Sequence, residues 1–290
     1  MVHPKKILLV SVLAIAGWSG LASAETTPGS SANALQQVIA ARSETDRARD
    51  GARHPAETLA FFGVEPAMTV AEALPGSGWY TRILAPYLGG QGTIYGVNYM
   101  AEIWPLFGFM SQEKIATNIA ATKKFAKDVQ AITDNGMTAK GFTFSNVPEK
   151  AYGTVDRVLI IRALHNLNRF DDKIGSRSQA LAATRVLLKK DGLVGVVQHR
   201  LPETADDAGA DGRRGYLKQS AVIAMFEQAG FELVDSSEIN ANPKDQPGPD
   251  DIVWRLPPSL SGSADKPEQK AAMEAIGESD RMTLLFKKAS

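Results

Sequence analysis

From residue 68 onward, short apolar runs alternate with segments of helical period. Residues 68–74 read as a buried strand. Trp79, Ile83, Leu84, Tyr87 and Leu88 then share one helical face, which Gly89-Gly90 ends. The same alternation predicts strands at 93–97, 142–144, 155–161, 193–198, 231–234 and 282–286. Helices are predicted at 111–132, 178–188 and 218–228. Within 155–161, residues 158–161 are an unbroken apolar run, as expected of a strand covered on both faces. Strands alternating with helices argue for an α/β fold. The expected architecture is a seven-stranded Rossmann-like sheet, mostly parallel, with helices on both faces. The last strand has no clear helical crossover before it, so it is expected to be antiparallel.

The N-terminal third reads differently. Ser31 suits the cap of a helix through Leu35, Val38 and Ile39. Pro55 suits the first turn of another, carrying Leu59 and Phe62 and ended by Gly63. Between them, residues 42–53 alternate Arg and Asp at helical spacing. The plain reading is a solvated, salt-bridged face; the functional one is a cap that brings Arg53 or His54 to a site. Residues 31–63 thus form a helical cap. Near the other end, residues 242–277 are rich in Pro, Asp, Ser and Gly and exceed ordinary loop length. They read as an insertion before the last strand, a lid or a surface arm, anchored by Trp254 and Leu256.

Composition adds bounds. The chain has 290 residues, 44% apolar and 22% charged, enough for a full globular core. Lys5 and Lys6 precede an apolar stretch over 7–21, and Ala22-Ser23-Ala24 fits a small-x-small cleavage site. Residues 1–24 are therefore read as a cleaved export signal, and 25–290 as one domain, periplasmic or secreted, with no stable membrane span after cleavage. Cleavage leaves 30 basic against 32 acidic side chains, so no basic surface for nucleic acid is implied. With no cysteine, disulfides, thiolate metal sites and a Cys nucleophile are excluded.

The chemistry centres on residues 70–81. A strand ends in Glu72, a loop follows through Gly76, Ser77 and Gly78, and a helix begins. Glycines let backbone approach a ligand closely, and a helix start offers free N–H groups. Asn98 ends the next strand, where a partner for ribose hydroxyls is expected. A nicotinamide fingerprint fits poorly: Thr81 stands at the third glycine, Pro75 precedes the loop, and no acid ends the second strand.

The segment Glu72-x-Leu74-x-Gly76-x-Gly78 resembles the loop of class I S-adenosylmethionine-dependent methyltransferases, in its isoaspartyl-type variant. Arg53-His54-Pro55-Ala56-Glu57, Trp79-Tyr80-Thr81-Arg82 and Glu278-Ser279-Asp280-Arg281-Met282 are similar to a group of exported predicted methyltransferases. The resemblance covers roughly residues 45–288. It implies S-adenosylmethionine as cofactor, held by Glu72, Ala73, Leu74, Gly76, Ser77 and Gly78, with Asn98 at the ribose. Leu74 stands where the family has its first glycine, and Asn98 where it has an acid. The implied activity is methylation of a small molecule or an envelope component. The alternatives are a non-catalytic periplasmic binding or assembly protein with the same fold, and an NAD(P)-dependent oxidoreductase.

His165 is the candidate general base, just beyond the carboxyl end of the fourth strand; its plain alternative is a loop hydrogen bond. Arg162-Ala163-Leu164-His165 replaces the family's Asn-Pro-Pro-Tyr-like motif, which disfavours exocyclic amines as acceptors. His54, His165 and His199 lack any metal-ligand spacing, and Asp206-Asp207 and Asp250-Asp251 read as solvated loops. Residues 99–110, with Trp104, Phe107 and Phe109, read equally as a substrate wall or as core.

Overall fold

The computed structural model describes residues 28–290, so the export signal read at 1–24 lies outside the described residues. Four helices lead in: α1 (Pro28–Ala41), α2 (Glu44–Arg47), α3 (Asp50–Arg53) and α4 (Pro55–Phe61). The first helix starts at Pro28, one turn before Ser31; Ser31 is buried inside it and is not its cap. Then follow β1 (Thr69–Ala73), α5 (Thr81–Leu88), β2 (Thr93–Asn98), α6 (Ile103–Leu106), α7 (Gln112–Ile132) and β3 (Thr138–Thr143). Next come β4 (Val155–Ile161), α8 (Leu164–Arg169), α9 (Asp171–Ile174), α10 (Ser176–Leu187) and β5 (Leu188–Leu201). The chain ends with β6 (Leu217–Lys218), α11 (Gln219–Gln228), β7 (Phe231–Ser237), α12 (Pro267–Ile276) and β8 (Arg281–Lys288).

The main sheet runs β3-β2-β1-β4-β5-β8-β7, and the two-residue β6 pairs with β5 alone. β3, β2, β1, β4 and β5 are parallel; β8 is antiparallel to both β5 and β7. All seven expected strands are present, and the last slots between β5 and β7. Strand residues alternate between two cores, as the two-residue period of a strand requires. Ala71 and Val158 face a cluster under α8, α10 and α11. Val70 and Leu159 face one under α1, α4, α5 and α7.

Glycines set how close helices come. A Cβ on Gly195 of β5 would stand 2.5 Å from the ring of Phe62, which is fully buried at the end of α4. Gly96 meets Phe125 of α7 in the same way, at 2.6 Å. Both helices therefore rest directly on the strands.

The insertion is anchored, not free. Arg255 donates to Asp245 at 2.9 Å and to the Tyr216 hydroxyl at 2.9 Å, all three buried. Asp251 is not merely solvated: it accepts from the Gly248 N–H and pairs with Arg255. Among the described residues, no helix is long and apolar enough to cross a membrane.

Gly195→Ala is expected to destabilise the fold by about 1–3 kcal/mol through overpacking against Phe62. A lowered urea midpoint with unchanged slope would show it, and an unchanged midpoint would refute the close-approach argument.

Candidate functional site

β1 and β4 pair in parallel, and from them the strand order runs outward in opposite directions, the place where crevices form at the carboxyl ends of open α/β sheets. The residue after β1 is Leu74, with φ 49°, and Gly76 and Gly78 follow at 59° and 78°. Leu74 thus adopts the left-handed backbone that glycine takes freely and a leucine adopts only under strain. Its side chain is the shared wall of three adjoining cavities.

The first, about 340 Å³, gathers Glu72, Ala73, Leu74, Gly76, Ser77 and His165 with Arg49, Arg53, Arg162 and Trp254. The second, about 380 Å³, lies between Gly76-Ser77 and α7 and includes Asn98, Asn118 and Thr122. The third, about 490 Å³, is walled by Tyr99, Trp104, Phe107, Phe109, Met110 and Trp254. The 99–110 stretch is therefore both things at once: Trp104 is buried in the core, and Phe109 is 75% exposed. Gly78 lines none of the three. Its N–H closes the turn onto the Pro75 carbonyl, so it shapes the loop from behind.

Glu72 is buried and accepts from the Thr81 hydroxyl at 2.6 Å. Burial pushes its carboxyl up to about 7, against the pull of that bond and of Arg82. Asn98 already spends both amide hydrogens and one acceptor position of its oxygen. Its Nδ2 donates to the Thr122 hydroxyl and the Asn118 carbonyl, and its Oδ1 accepts from the Tyr99 N–H. It fastens α7 beside the cleft.

His165 is buried at the start of α8. The Gln198 amide donates Nε2–H to the Gly215 carbonyl, so its Oε1 is the acceptor facing His165 at 3.3 Å. Nδ1 of His165 therefore carries the proton, and Nε2 is the basic nitrogen. Burial pushes this imidazole down to about 4, with Arg162 and Arg169 adding repulsion, so it is neutral at pH 7. His199 lies 5.5 Å away between ring centroids, bonded to the Ser279 hydroxyl at 2.6 Å. The fold thus unites two histidines that are separate in sequence, yet among the described residues no group of side chains has the makings of a metal site.

The Arg/Asp run 42–53 is more than a solvated face: Glu44 and Arg47 are exposed, but the other charged residues pack inward. Arg42 is buried against Asp50, Arg82 forks onto Asp46, and Trp79 Nε1 donates to the Asp46 carbonyl. Arg53, only 2% exposed, lies over the Trp79 ring at 4.4 Å. Arg49 donates to Glu278 at 2.6 Å, Arg281 to the same carboxylate at 3.1 Å, and Arg53 approaches it at 3.5 Å. Burial raises the Glu278 carboxyl, but Arg281, Arg53, Arg49 and Arg162 outweigh it and hold it below the usual range. Burial, then repulsion from Arg162, brings Arg53 down to about 9; burial and Arg281 bring Arg162 to about 10. Arg162 has φ 55°, a second strained backbone at the same cavity.

Sequence reasoning placed Arg53 near the site but missed Arg49, Arg162, Asn166, His199 and the role of Trp254. Arg162 carried a signal: a charged residue directly after the unbroken apolar run 158–161 of the central strand β4.

No protein-family model matches this chain, and no curated protein matches it. Solved structures do. The methyltransferase solved with the Haloferax volcanii Trm112 methyltransferase activator aligns at TM-score 0.50 and 16% identity, over 88% of this chain and 98% of that one. Geranyl diphosphate C-methyltransferase from Streptomyces coelicolor A3(2) aligns at TM-score 0.49 and 12% identity, over 88% and 84%. A SAM-dependent methyltransferase from Aquifex aeolicus aligns at TM-score 0.48 and 16% identity, over 71% and 93%. The fold is the α/β Rossmann-like methyltransferase fold. At these identities the likeness is one of fold alone.

Glu72 offers a direct test. Its folded value lies above its unfolded one of 4.5, so its stabilising contribution is full below about pH 4.5 and lost as pH rises through about 7. The loss is on the order of 3 kcal/mol. Glu72→Gln is expected to be the more stable protein at pH 8 and not at pH 5, by denaturant unfolding. Comparing variant with parent cancels the histidines, whose burial acts in the opposite sense. Equal pH slopes would refute the assignment.

Proposed function

We propose that the chain transfers a methyl group from S-adenosylmethionine to a small molecule or an envelope component. The observation that carries this reading is one cavity in which Glu72, Gly76, Ser77 and His165 converge at the carboxyl ends of β1 and β4, within a methyltransferase fold. The residues present fit such a cofactor. Gly76 leaves its side of the loop open, since the nearest atom to a Cβ there is 3.8 Å away. Trp104 and Asn166 line these cavities, and their buried Nε1 and Oδ1 have no hydrogen-bond partner within the protein.

When bound, S-adenosylmethionine supplies a methyl group on a sulfonium: its carbon–sulfur bond breaks as the new bond forms, and sulfur leaves as a neutral thioether. Little covalent help is needed, so the protein acts mainly by alignment and by excluding water. Glu72, once ionised, would hold the cofactor's α-ammonium group. Ser77 and Gly76 border the joint between the first and second cavities, and Asn98 keeps Asn118 and Thr122 in place along the second. His165 Nε2 accepts the proton of a hydroxyl or amine acceptor. Trp79, Tyr80 and Trp254 shield the reacting atoms. Export through a cleaved signal remains part of the proposal, on Lys5, Lys6 and Ala22-Ser23-Ala24; fractionation of tagged full-length protein tests it, and an uncleaved cytoplasmic product refutes it.

Affinity for S-adenosylhomocysteine, measured by calorimetry, is expected to rise about tenfold per pH unit below about pH 7 and then level off, because only ionised Glu72 pairs with the ammonium. Glu72→Gln should flatten that profile and weaken binding at least about tenfold at pH 8. No heat and no thermal shift at millimolar ligand overturns the reading.

A further inference from the structure

The first cavity holds more positive charge than its own residues neutralise. Arg49, Arg53 and Arg162 line it, and Arg281 stands behind Glu278. Against these four guanidiniums stand two carboxylates, Glu278 and Glu72, and burial keeps Glu72 partly protonated near neutrality. Arg42 and Arg82 do not enter the count, since Asp50 and Asp46 answer them. Arg53 is almost completely buried, yet its Nη1 has no hydrogen-bond partner; nor does Nε of Arg162. Leaving such donors unpaired in a buried site is costly, so the arrangement is one that a ligand completes.

S-adenosylmethionine does not complete it. Its sulfonium and ammonium outnumber its one carboxylate, so binding adds a net positive charge to a site already in excess. The remaining partner of the reaction must bring negative charge. The adjoining third cavity shares Leu74, Asn166 and Trp254 with the first; its walls are largely aromatic, with Arg169 among them over the Phe107 ring. One end of the acceptor's space is therefore strongly cationic and the other largely apolar, with one further guanidinium, Arg169, in its wall.

Resting on the methyltransferase reading of this site, we propose that the methyl acceptor is an organic anion. Its carboxylate or phosphate is held by Arg53 and Arg162, and its apolar body lies along Trp104 and Trp254. The two guanidiniums offer forked donors suited to either group. The unpartnered Asn166 oxygen, at the junction, accepts from a hydroxyl or amine next to the anionic group. Binding is cooperative: the anion offsets the repulsion that the sulfonium meets from Arg162, and so tightens the cofactor in turn.

The test is calorimetry on the intact protein with benzoate, phenyl phosphate and neutral benzamide, each with and without S-adenosylhomocysteine. Benzoate or phenyl phosphate is expected to bind at least about tenfold tighter than benzamide, and the stronger of the two names the head group. Arg162→Met and Arg53→Met should each cost the anion about tenfold or more while changing S-adenosylhomocysteine affinity less than about threefold, and Arg→Lys should restore part of it. Equal binding of benzoate and benzamide overturns the proposal, and this comparison needs no variant to fold. So does a parallel loss of S-adenosylhomocysteine, which would assign the arginines to the cofactor's carboxylate. Anion binding that survives with no S-adenosylhomocysteine binding at any concentration keeps the anion site and removes the methyltransferase reading.

Discussion

One carboxylate, Glu278, ties the ends of the chain together. Arg49 and Arg53, from the leading helices, reach it from one side, and Arg281, at the start of β8, from the other. A buried carboxylate among guanidiniums is stable only while its partners stay in place; loss of one partner from such a pair costs about 3–5 kcal/mol. The first cavity therefore keeps its roof only as long as the N-terminal helices are docked. Trp79 strengthens the same joint, with Arg53 at 4.4 Å and Arg42 at 4.8 Å over its ring and Asp46 bonded to its nitrogen. Because Trp79 belongs to the loop that follows Gly78, the cap and the loop are fixed by one set of contacts.

The same joint explains the strain below it. A left-handed leucine and a left-handed arginine each cost about 1–3 kcal/mol, and they persist where surrounding structure overdetermines them. Leu74 is held by its backbone bond to Val97 at 2.8 Å and by core packing, Arg162 by its bond to Val197 at 2.7 Å. Their side chains consequently project into the space between the strand ends, where Leu74 divides three cavities and Arg162 charges one of them. Glu72 and His165 respond to the same dryness in opposite ways: burial raises the acid and lowers the base, so both approach neutrality at pH 7.

Much of this was legible from residues alone. The strand–helix order, the antiparallel last strand, the acid before the loop and the position of His165 all follow from local periodicity and turn chemistry. Other features were not. The Arg/Asp run 42–53 has the look of a solvated face because each charge has a nearby opposite; in the structure Arg49 instead pairs with a residue 229 positions away. Asn98 sits where the resemblance of the loop would put a ribose ligand, but α7 takes both of its amide hydrogens, through Asn118 and Thr122.

The α/β alternation, the two-faced sheet and the candidate loop are readable in residue order, because burial of a strand or helix face leaves its period in the local order of residues. The tertiary structure alone decided which charges meet, how Leu74 divides the cleft, and that His165 and His199 share a cavity. The reason is physical: these depend on the sheet order β1-β4-β5-β8, which brings segments far apart in the chain within hydrogen-bond distance, and no local pattern records such a meeting.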